Sequence, residues 1–234
     1  MLTKDIGRAV VGLSRLGKGT WLKNVVIPRL RKAGRSIVVI DIDDEYTQEG
    51  RERDGTPLGD ITHRVEAPDF EDWLVENKDE VFLRQGLELA IVPVSRMKDG
   101  AEVAEQVKAV LPWLADRGDV DVVLEEMGRW SEHATELTKA MAMGWLKEGV
   151  RPWFIAQNFR SIDIQTRSQV SEIYSFQQVD RADLRFLTDL CGRGFALEVA
   201  KLEPHNFRAR NRREPDPALL AELAGMQPAQ TKEK

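Results

Sequence analysis

The chain has 234 residues, of which 42% are hydrophobic and 31% charged, with a formal net charge of −5. This length suits one α/β domain with at most a small appendage, and the acidic balance excludes a protein coated in basic surface. The single cysteine, Cys191, excludes an internal disulfide and fits a reducing compartment. No apolar run approaches the length of a membrane span and no signal-peptide pattern is found, so we expect a soluble, intracellular protein.

The first motif is a glycine-rich loop that joins an apolar strand at residues 8–11 to a helix at residues 20–32. It reads G-x-x-x-x-G-K followed by Gly-Thr, which is typical of a phosphate-binding loop whose backbone N–H groups converge on phosphate oxygens. Lys18 is predicted to reach the β- and γ-phosphates. Because Gly19 stands where a hydroxyl is usual, Thr20 is the predicted Mg²⁺ ligand. The predicted nucleotide-binding residues are Gly12, Leu13, Ser14, Arg15, Leu16, Gly17, Lys18, Gly19, Thr20 and Trp21.

Two residues near the loop have alternative interpretations. Trp21 is expected either to stack near the nucleotide base or to belong to the core, which is more common at the start of a helix packed on a sheet. Pro28 lies inside the predicted helix and is expected to kink it or restart it there.

The second strand, at residues 36–40, is apolar throughout and is therefore predicted to be buried on both faces. Four acids follow it at positions 41 to 45. Carboxylates at such a strand tip face the crevice where α/β proteins bind ligands, and Asp41 is predicted to support a metal or water shell. Residues 47–64 are polar and glycine-rich and predict a long loop, either a functional one or a plain surface excursion.

A helix at residues 70–77, a strand at 87–94 and a helix at 101–115 lead to an apolar strand at 120–124. That strand ends in Glu125 and Glu126, the pattern of a Walker B motif. Glu125, in place of the usual aspartate, is predicted to hold Mg²⁺, and Glu126 to act as the general base. The alternative is that these acids merely cap the strand. After a helix at 132–147, a strand at 153–156 ends in Gln157, which either senses the γ-phosphate or satisfies backbone groups.

The last predicted elements are a strand at residues 173–176, a helix at 182–190 and a strand at 195–199. From position 207 arginines cluster, and a short helix at 218–223 and a polar end follow. The sequence thus predicts a P-loop ATPase domain at residues 1–206 and a basic, flexible C-terminal segment at 207–234.

Taken in order, these motifs resemble the HerA/FtsK superfamily of P-loop DNA-pumping ATPases over residues 7–200. The resemblance rests on the phosphate loop, on Asp41 with Glu45 and Tyr46 behind it, on the Walker B segment at 122–126 and on the strand leading to Gln157. It implies an α/β fold of the RecA-like, additional-strand, catalytic-glutamate type, with a mostly parallel central sheet flanked by helices. Because the chain has no room for the extra domains of HerA and FtsK, it looks like the genome-packaging ATPase of tailless, internal-membrane icosahedral viruses.

The resemblance also implies partners and a location. It implies a ring of identical subunits, a hexamer or a pentamer, that uses ATP and Mg²⁺ to drive double-stranded DNA into a preformed capsid. Capsid or membrane-vertex proteins would be its other partners, in the host cytoplasm or at the virion packaging vertex. Arg151 lies where this family carries a trans-acting arginine, with Arg160 and Arg167 as alternatives. Pore loops would contact DNA phosphates, and the candidates are Arg51, Arg53, Arg96 and Lys98.

Three other functions stay open at this point. One is a plasmid or conjugative DNA translocase of the same superfamily. A second is a small-molecule kinase, suggested by the Gly-Lys-Gly-Thr end of the phosphate loop, and a third is a nucleotide switch without turnover. Glu126 followed by the Gln157 strand favours hydrolysis over phosphoryl transfer to a second nucleotide.

Overall fold

Eight strands form the central sheet of the computed structural model, which describes residues 7–50, 56–95 and 99–214. They are β1 (Gly7–Val11), β2 (Ser36–Ile40), β3 (His63–Glu66), β4 (Glu88–Val92), β5 (Val120–Leu124), β6 (Val150–Ala156), β7 (Val170–Phe176) and β8 (Phe207–Asn211). Their order across the sheet is β3-β4-β2-β5-β6-β1-β7-β8. All neighbours are parallel except β8, which pairs antiparallel with β7. The predicted mostly parallel sheet is confirmed, with β6 as the additional strand between β1 and β5.

Helices connect these strands. They are α1 (Lys18–Trp21), α2 (Ile27–Lys32), α3 (Phe70–Glu76), α4 (Lys78–Leu83), α5 (Gly100–Val110), α6 (Trp113–Arg117), α7 (Met127–Trp130), α8 (Thr135–Met143), α9 (Ile164–Gln169), α10 (Arg181–Cys191) and α11 (Arg193–Ala200). Within the described ranges, none of these helices combines the length and the apolar character that crossing a bilayer requires.

The sheet has a hydrophobic core on each face, because alternate side chains of its strands point to opposite sides. On one face, Val10 packs with residues of the helix that follows the phosphate loop, including Leu22 and Leu30. On the other face, Ala9 and Val11 pack with residues of α3 to α8. The continuous apolar runs that predicted buried parallel strands are explained by this cover on both sides.

The first helix is irregular where the sequence predicts a kink or a restart. A π-helical segment, Leu22–Val26, separates α1 from α2, and Pro28 lies in the first turn of α2. Proline has no N–H to donate, so a regular α-helical ladder cannot run through it, and the wider turn precedes it. Gly34, with φ 68°, follows the end of α2.

The structure differs from the predicted elements at three places. Residues 195–199, predicted as a strand, lie in α11, where Ala196 and Val199 pack on α10 through Leu187. β8 extends the sheet beyond residue 206, the predicted end of the domain. β3 begins at His63, inside the last two residues of the segment predicted as a long loop. The predicted helix at 218–223 falls in residues 215–234, which lie outside the described residues.

Candidate nucleotide site

A cleft of about 450 Å³ lies at the carboxyl ends of the central strands. β6 lies between β1 and β5, so the phosphate loop, Gln157 and Glu126 follow three adjacent parallel strands. This edge is where open α/β sheets bind ligands. Six of the predicted nucleotide-binding residues line the cleft: Ser14, Arg15, Gly17, Lys18, Gly19 and Thr20.

Lys18 is held inside the phosphate loop. Its Nζ donates to the carbonyl oxygens of Gly12 at 2.7 Å and Leu13 at 3.2 Å. Burial lowers the pKa of the Lys18 ammonium, and the nearby charges of Glu126 and Glu125 oppose that shift. The ammonium thus bonds the loop carbonyls and lies in the same cleft as the two carboxylates, and its contact with the β- and γ-phosphates stays a prediction.

Gly17 occupies a backbone conformation that few other residues adopt. Its φ is 98°, and a Cβ added there would lie 2.6 Å from Nδ1 of His205. The second glycine of the motif is thus required both by the left-handed turn that begins α1 and by the close approach of an imidazole.

Trp21 packs in the core and not in the cleft. Its ring centroid lies 4.9 Å from that of Phe207, 5.1 Å from Tyr174 and 6.2 Å from Phe176. These rings belong to, or pack against, the cluster on one face of the sheet. These neighbours are strand residues and favour the core alternative, while the nucleotide-binding role of Trp21 stays a prediction.

Glu125, the first acid after β5, is bound by a tyrosine. The Tyr46 hydroxyl donates to Oε1 of Glu125, and the Glu126 N–H donates to Oε2 at 3.3 Å. Burial raises the pKa of Glu125 to about 7, with smaller contributions from the charges of Glu126 and Asp41. Glu125 is thus a carboxyl group close to its titration point near neutral pH.

Glu126, the second acid, lies at a left-handed backbone position. Its φ is 44° and its ψ is 44°, immediately before α7. Such a conformation is uncommon outside glycine and costs free energy, which is typical of functional positions. Nε2 of Gln157 lies 3.5 Å from Oε2 of Glu126. The structure therefore brings together the predicted general base and the predicted sensor.

Asp41 organises the acidic turn after β2. It is 1% exposed, and its two oxygens accept the backbone N–H groups of Glu45 at 2.9 Å and Tyr46 at 2.8 Å. Burial raises the pKa of Asp41 to about 6. These bonds hold the turn that carries the Tyr46 hydroxyl to Glu125, while the metal role of Asp41 stays a prediction.

The donor set of the cleft suits Mg²⁺. Among the residues that the structure describes, no group of three or more His, Cys, Asp or Glu side chains forms a ready-made metal site. Mg²⁺ does not need one, because it keeps several waters and takes one or two protein oxygens together with substrate phosphates. Thr20, Glu125 and Glu126 all line the cleft and offer such oxygens.

Arg151, predicted as the trans-acting arginine, lies in a buried ion-pair network of its own chain. Arg151 is the second residue of β6, roughly 17 Å along the strand from its carboxyl end. Its side chain is 6% exposed, and its Nε and Nη1 bond Asp121 at 3.2 Å and Asp119 at 2.8 Å. This pairing inside its own subunit favours a structural role, while the trans-acting role of Arg151 stays a prediction.

The two alternative arginines differ in exposure. Arg160 follows β6 in a short 3₁₀ turn, has a side chain 46% exposed and pairs with Asp183 at 2.6 Å and Asp180 at 3.2 Å. Arg167 stacks on the Phe186 ring at 4.5 Å, and burial lowers its pKa. The predicted DNA contacts lie outside the described residues: Arg51, Arg53, Arg96 and Lys98.

Sequence reasoning missed three residues that line the cleft, Lys23, Arg129 and His205, of which His205 comes from the most distant part of the chain. His205 precedes β8, has φ 65°, and its N–H donates to the Leu16 carbonyl of the phosphate loop at 3.2 Å. No local pattern marks this histidine, since it approaches the loop only because β8 adds to the sheet beside β7.

Three solved structures of viral packaging enzymes are similar to this chain. The genome packaging NTPase B204 from Sulfolobus turreted icosahedral virus 2 in complex with ATP-gammaS aligns with a TM-score of 0.65 and 15% identity, over 91% of this chain and 94% of that one. Its complex with AMPPCP aligns with a TM-score of 0.62 and 15% identity, over 89% and 93%. B204, the DNA-packaging ATPase from Sulfolobus turreted icosahedral virus, aligns with a TM-score of 0.60 and 14% identity, over 91% of this chain and 95% of that one.

The chain has the fold of a P-loop NTPase. The resemblance found in the sequence motifs is therefore confirmed at the level of the fold. A scan against protein-family models gives no match, and a search of curated proteins gives none either. The P-loop NTPase fold accounts for the position of the cleft, because the phosphate loop follows β1 and the additional strand β6 lies next to β1.

Proposed function

We propose that this protein is an ATPase that hydrolyses ATP in the cleft beside the phosphate loop. One observation carries the proposal: Lys18 in the loop, Glu126 after β5 and Gln157 after β6 line a single cleft. Paired acids at a strand end next to a phosphate loop and an amide side chain are the parts that phosphoanhydride hydrolysis requires. The structures of B204 with ATP-gammaS and AMPPCP support ATP as the nucleotide.

Each residue has a distinct part in the proposed reaction. The loop N–H groups and the Lys18 ammonium bind the phosphates and offset their charge. Glu126 accepts the proton of a water that attacks the γ-phosphorus, and Gln157, 3.5 Å from Glu126, orients that water. The bond from the γ-phosphorus to the bridging oxygen breaks, and ADP and phosphate leave. Bound Mg²⁺, held by Thr20 and Glu125, would neutralise charge on the β- and γ-phosphates.

We further propose that hydrolysis drives double-stranded DNA through a ring of identical subunits, a hexamer or a pentamer, into a viral capsid. The fold similarity to B204, described as a genome packaging NTPase and a DNA-packaging ATPase, supports this function. In such a ring Arg160 is our candidate for the arginine that acts on a neighbour's phosphate, because it is exposed and follows the strand that leads to Gln157. Capsid or membrane-vertex proteins would then be partners at the packaging vertex.

Phosphate release from ATP, with and without double-stranded DNA, tests the proposal. We expect turnover that rises with DNA and falls by at least about 100-fold in Glu126→Gln, since general-base catalysis contributes a factor of that order. Glu132→Gln is the matched control, because Glu132 is an exposed acid outside the cleft. Turnover that survives in Glu126→Gln would refute the role of the base. Binding of ATP without turnover under any condition would indicate a nucleotide switch. Turnover that requires an added nucleotide acceptor would indicate a kinase.

A further inference from the structure

The turn at residues 202–206, just before β8, borders the cleft on the side away from the carboxylates. In the sheet, β1 has β6, β5 and β2 on one side and β7 and β8 on the other. Glu125 and Glu126 follow β5, whereas His205 lies two residues before the start of β8. The phosphate loop after β1 is therefore approached by acids from one side and by an imidazole from the other.

The turn is fixed at both of its ends and at the loop itself. Leu202, 7% exposed, packs with Leu187 and Val199, and Phe207 packs against Trp21 with 4.9 Å between ring centroids. Between these anchors, the backbone N–H of His205 donates to the Leu16 carbonyl of the phosphate loop, and the imidazole ring lies against Gly17. His205 is an exposed residue that lines the cleft, so the backbone places its imidazole at the edge of the nucleotide site.

We propose that His205 contacts the nucleoside, the ribose and base, of the triphosphate bound in this cleft and so sets the affinity for ATP. The inference rests on the proposed nucleotide site. Hydrolysis places the γ-phosphate at Glu126 and Gln157, so the rest of the nucleotide extends across the loop toward β7 and β8, where His205 lies. Neutral imidazole offers one donor, one acceptor and an aromatic face, which match ribose hydroxyls and a purine base.

Binding of ATP and of tripolyphosphate, both with Mg²⁺, to the whole chain tests the proposal by calorimetry. Tripolyphosphate carries the phosphates without the nucleoside. The variant is His205→Gly, because glycine keeps the φ of 65° without strain and removes only the imidazole. Glu203→Ala is the matched control, since Glu203 is an exposed residue of the same turn whose backbone carbonyl bonds Asn206.

We expect His205→Gly to bind ATP about 3- to 10-fold more weakly, the equivalent of one lost hydrogen bond, and to bind tripolyphosphate like the wild type. Glu203→Ala should bind both normally. Unchanged ATP affinity in His205→Gly, or equal losses for both ligands, would overturn the proposal. Lys18→Ala separates the two levels of inference. If the wild type binds ATP and Lys18→Ala does not, the nucleotide site stands whatever His205 does, and if the wild type binds neither ligand, both fail.

Discussion

Asp121 neutralises two arginines at the amino end of the sheet, and its removal should destabilise the protein strongly. It is 0% exposed, with Oδ2 2.6 Å from Nη2 of Arg35 and 3.2 Å from Nε of Arg151, and Oδ1 3.0 Å from Nε1 of Trp153. Asp121→Ala leaves two largely buried guanidinium groups without this counter-charge. Breaking a buried ion pair from one side costs about 3–5 kcal/mol.

Urea and thermal unfolding of Asp121→Ala would measure this loss. For a chain of this size each kcal/mol shifts Tm by about 2–4 °C, so we expect a fall of roughly 6–20 °C. Asp119→Asn is the matched control, since Asp119 bonds the same Arg151 at 2.8 Å but has a side chain 92% exposed, and asparagine tolerates its φ of 41°. An exposed pair contributes less than about 1 kcal/mol. Equal destabilisation by the two variants would refute the reasoning from burial.

The same experiment decides the role of Arg151. Its place in the Asp121 network predicts that Arg151→Ala lowers the free energy of unfolding, whereas the remaining folded protein binds ATP normally at the other end of the sheet. Full stability together with lost turnover in Arg151→Ala would instead support the trans-acting role.

Three further predictions concern the cleft. Thr20→Ala should weaken Mg²⁺-dependent ATP binding, as calorimetry with and without Mg²⁺ would measure. Adding Gly19→Ser should recover that binding, because a Cβ at Gly19 has no neighbour closer than 3.8 Å. An ATP affinity that Thr20→Ala leaves unchanged would contradict Thr20 as the ligand. The pKa of Glu125 is raised from 4.5 to about 7, so the folded state retains a proton that the unfolded state loses. The free energy of unfolding of the nucleotide-free protein should therefore fall by up to about 3 kcal/mol as pH rises from 4.5 to 7, and a slope unchanged in Glu125→Gln would contradict this. Mixing Arg160→Ala with Lys18→Ala subunits should recover part of the turnover if the arginine acts in trans, and no recovery would exclude Arg160 as that residue.

Several features could be predicted from the sequence because their signals are local. The phosphate loop is a contiguous pattern, and β2, β5 and the end of β6 are short apolar runs followed at once by Asp41, Glu125 or Gln157. Parallel strands with helical crossovers bring such carboxyl ends to one edge, so the cleft followed from the order of the motifs. The same local reasoning failed at residues 195–199, where an apolar run of five fits a strand as well as a helix.

The pairing of distant segments was decided only by the tertiary structure. The sequence alone does not show that Arg151 is buried, and the register that pairs it with Asp121 across β5 and β6 makes it a buried cation. His205 enters the cleft because β8 turns back antiparallel to β7, and Trp21 is core because Tyr174 and Phe207 lie under it. Strand order and register depend on contacts between residues far apart in the chain, and no short stretch of sequence contains them.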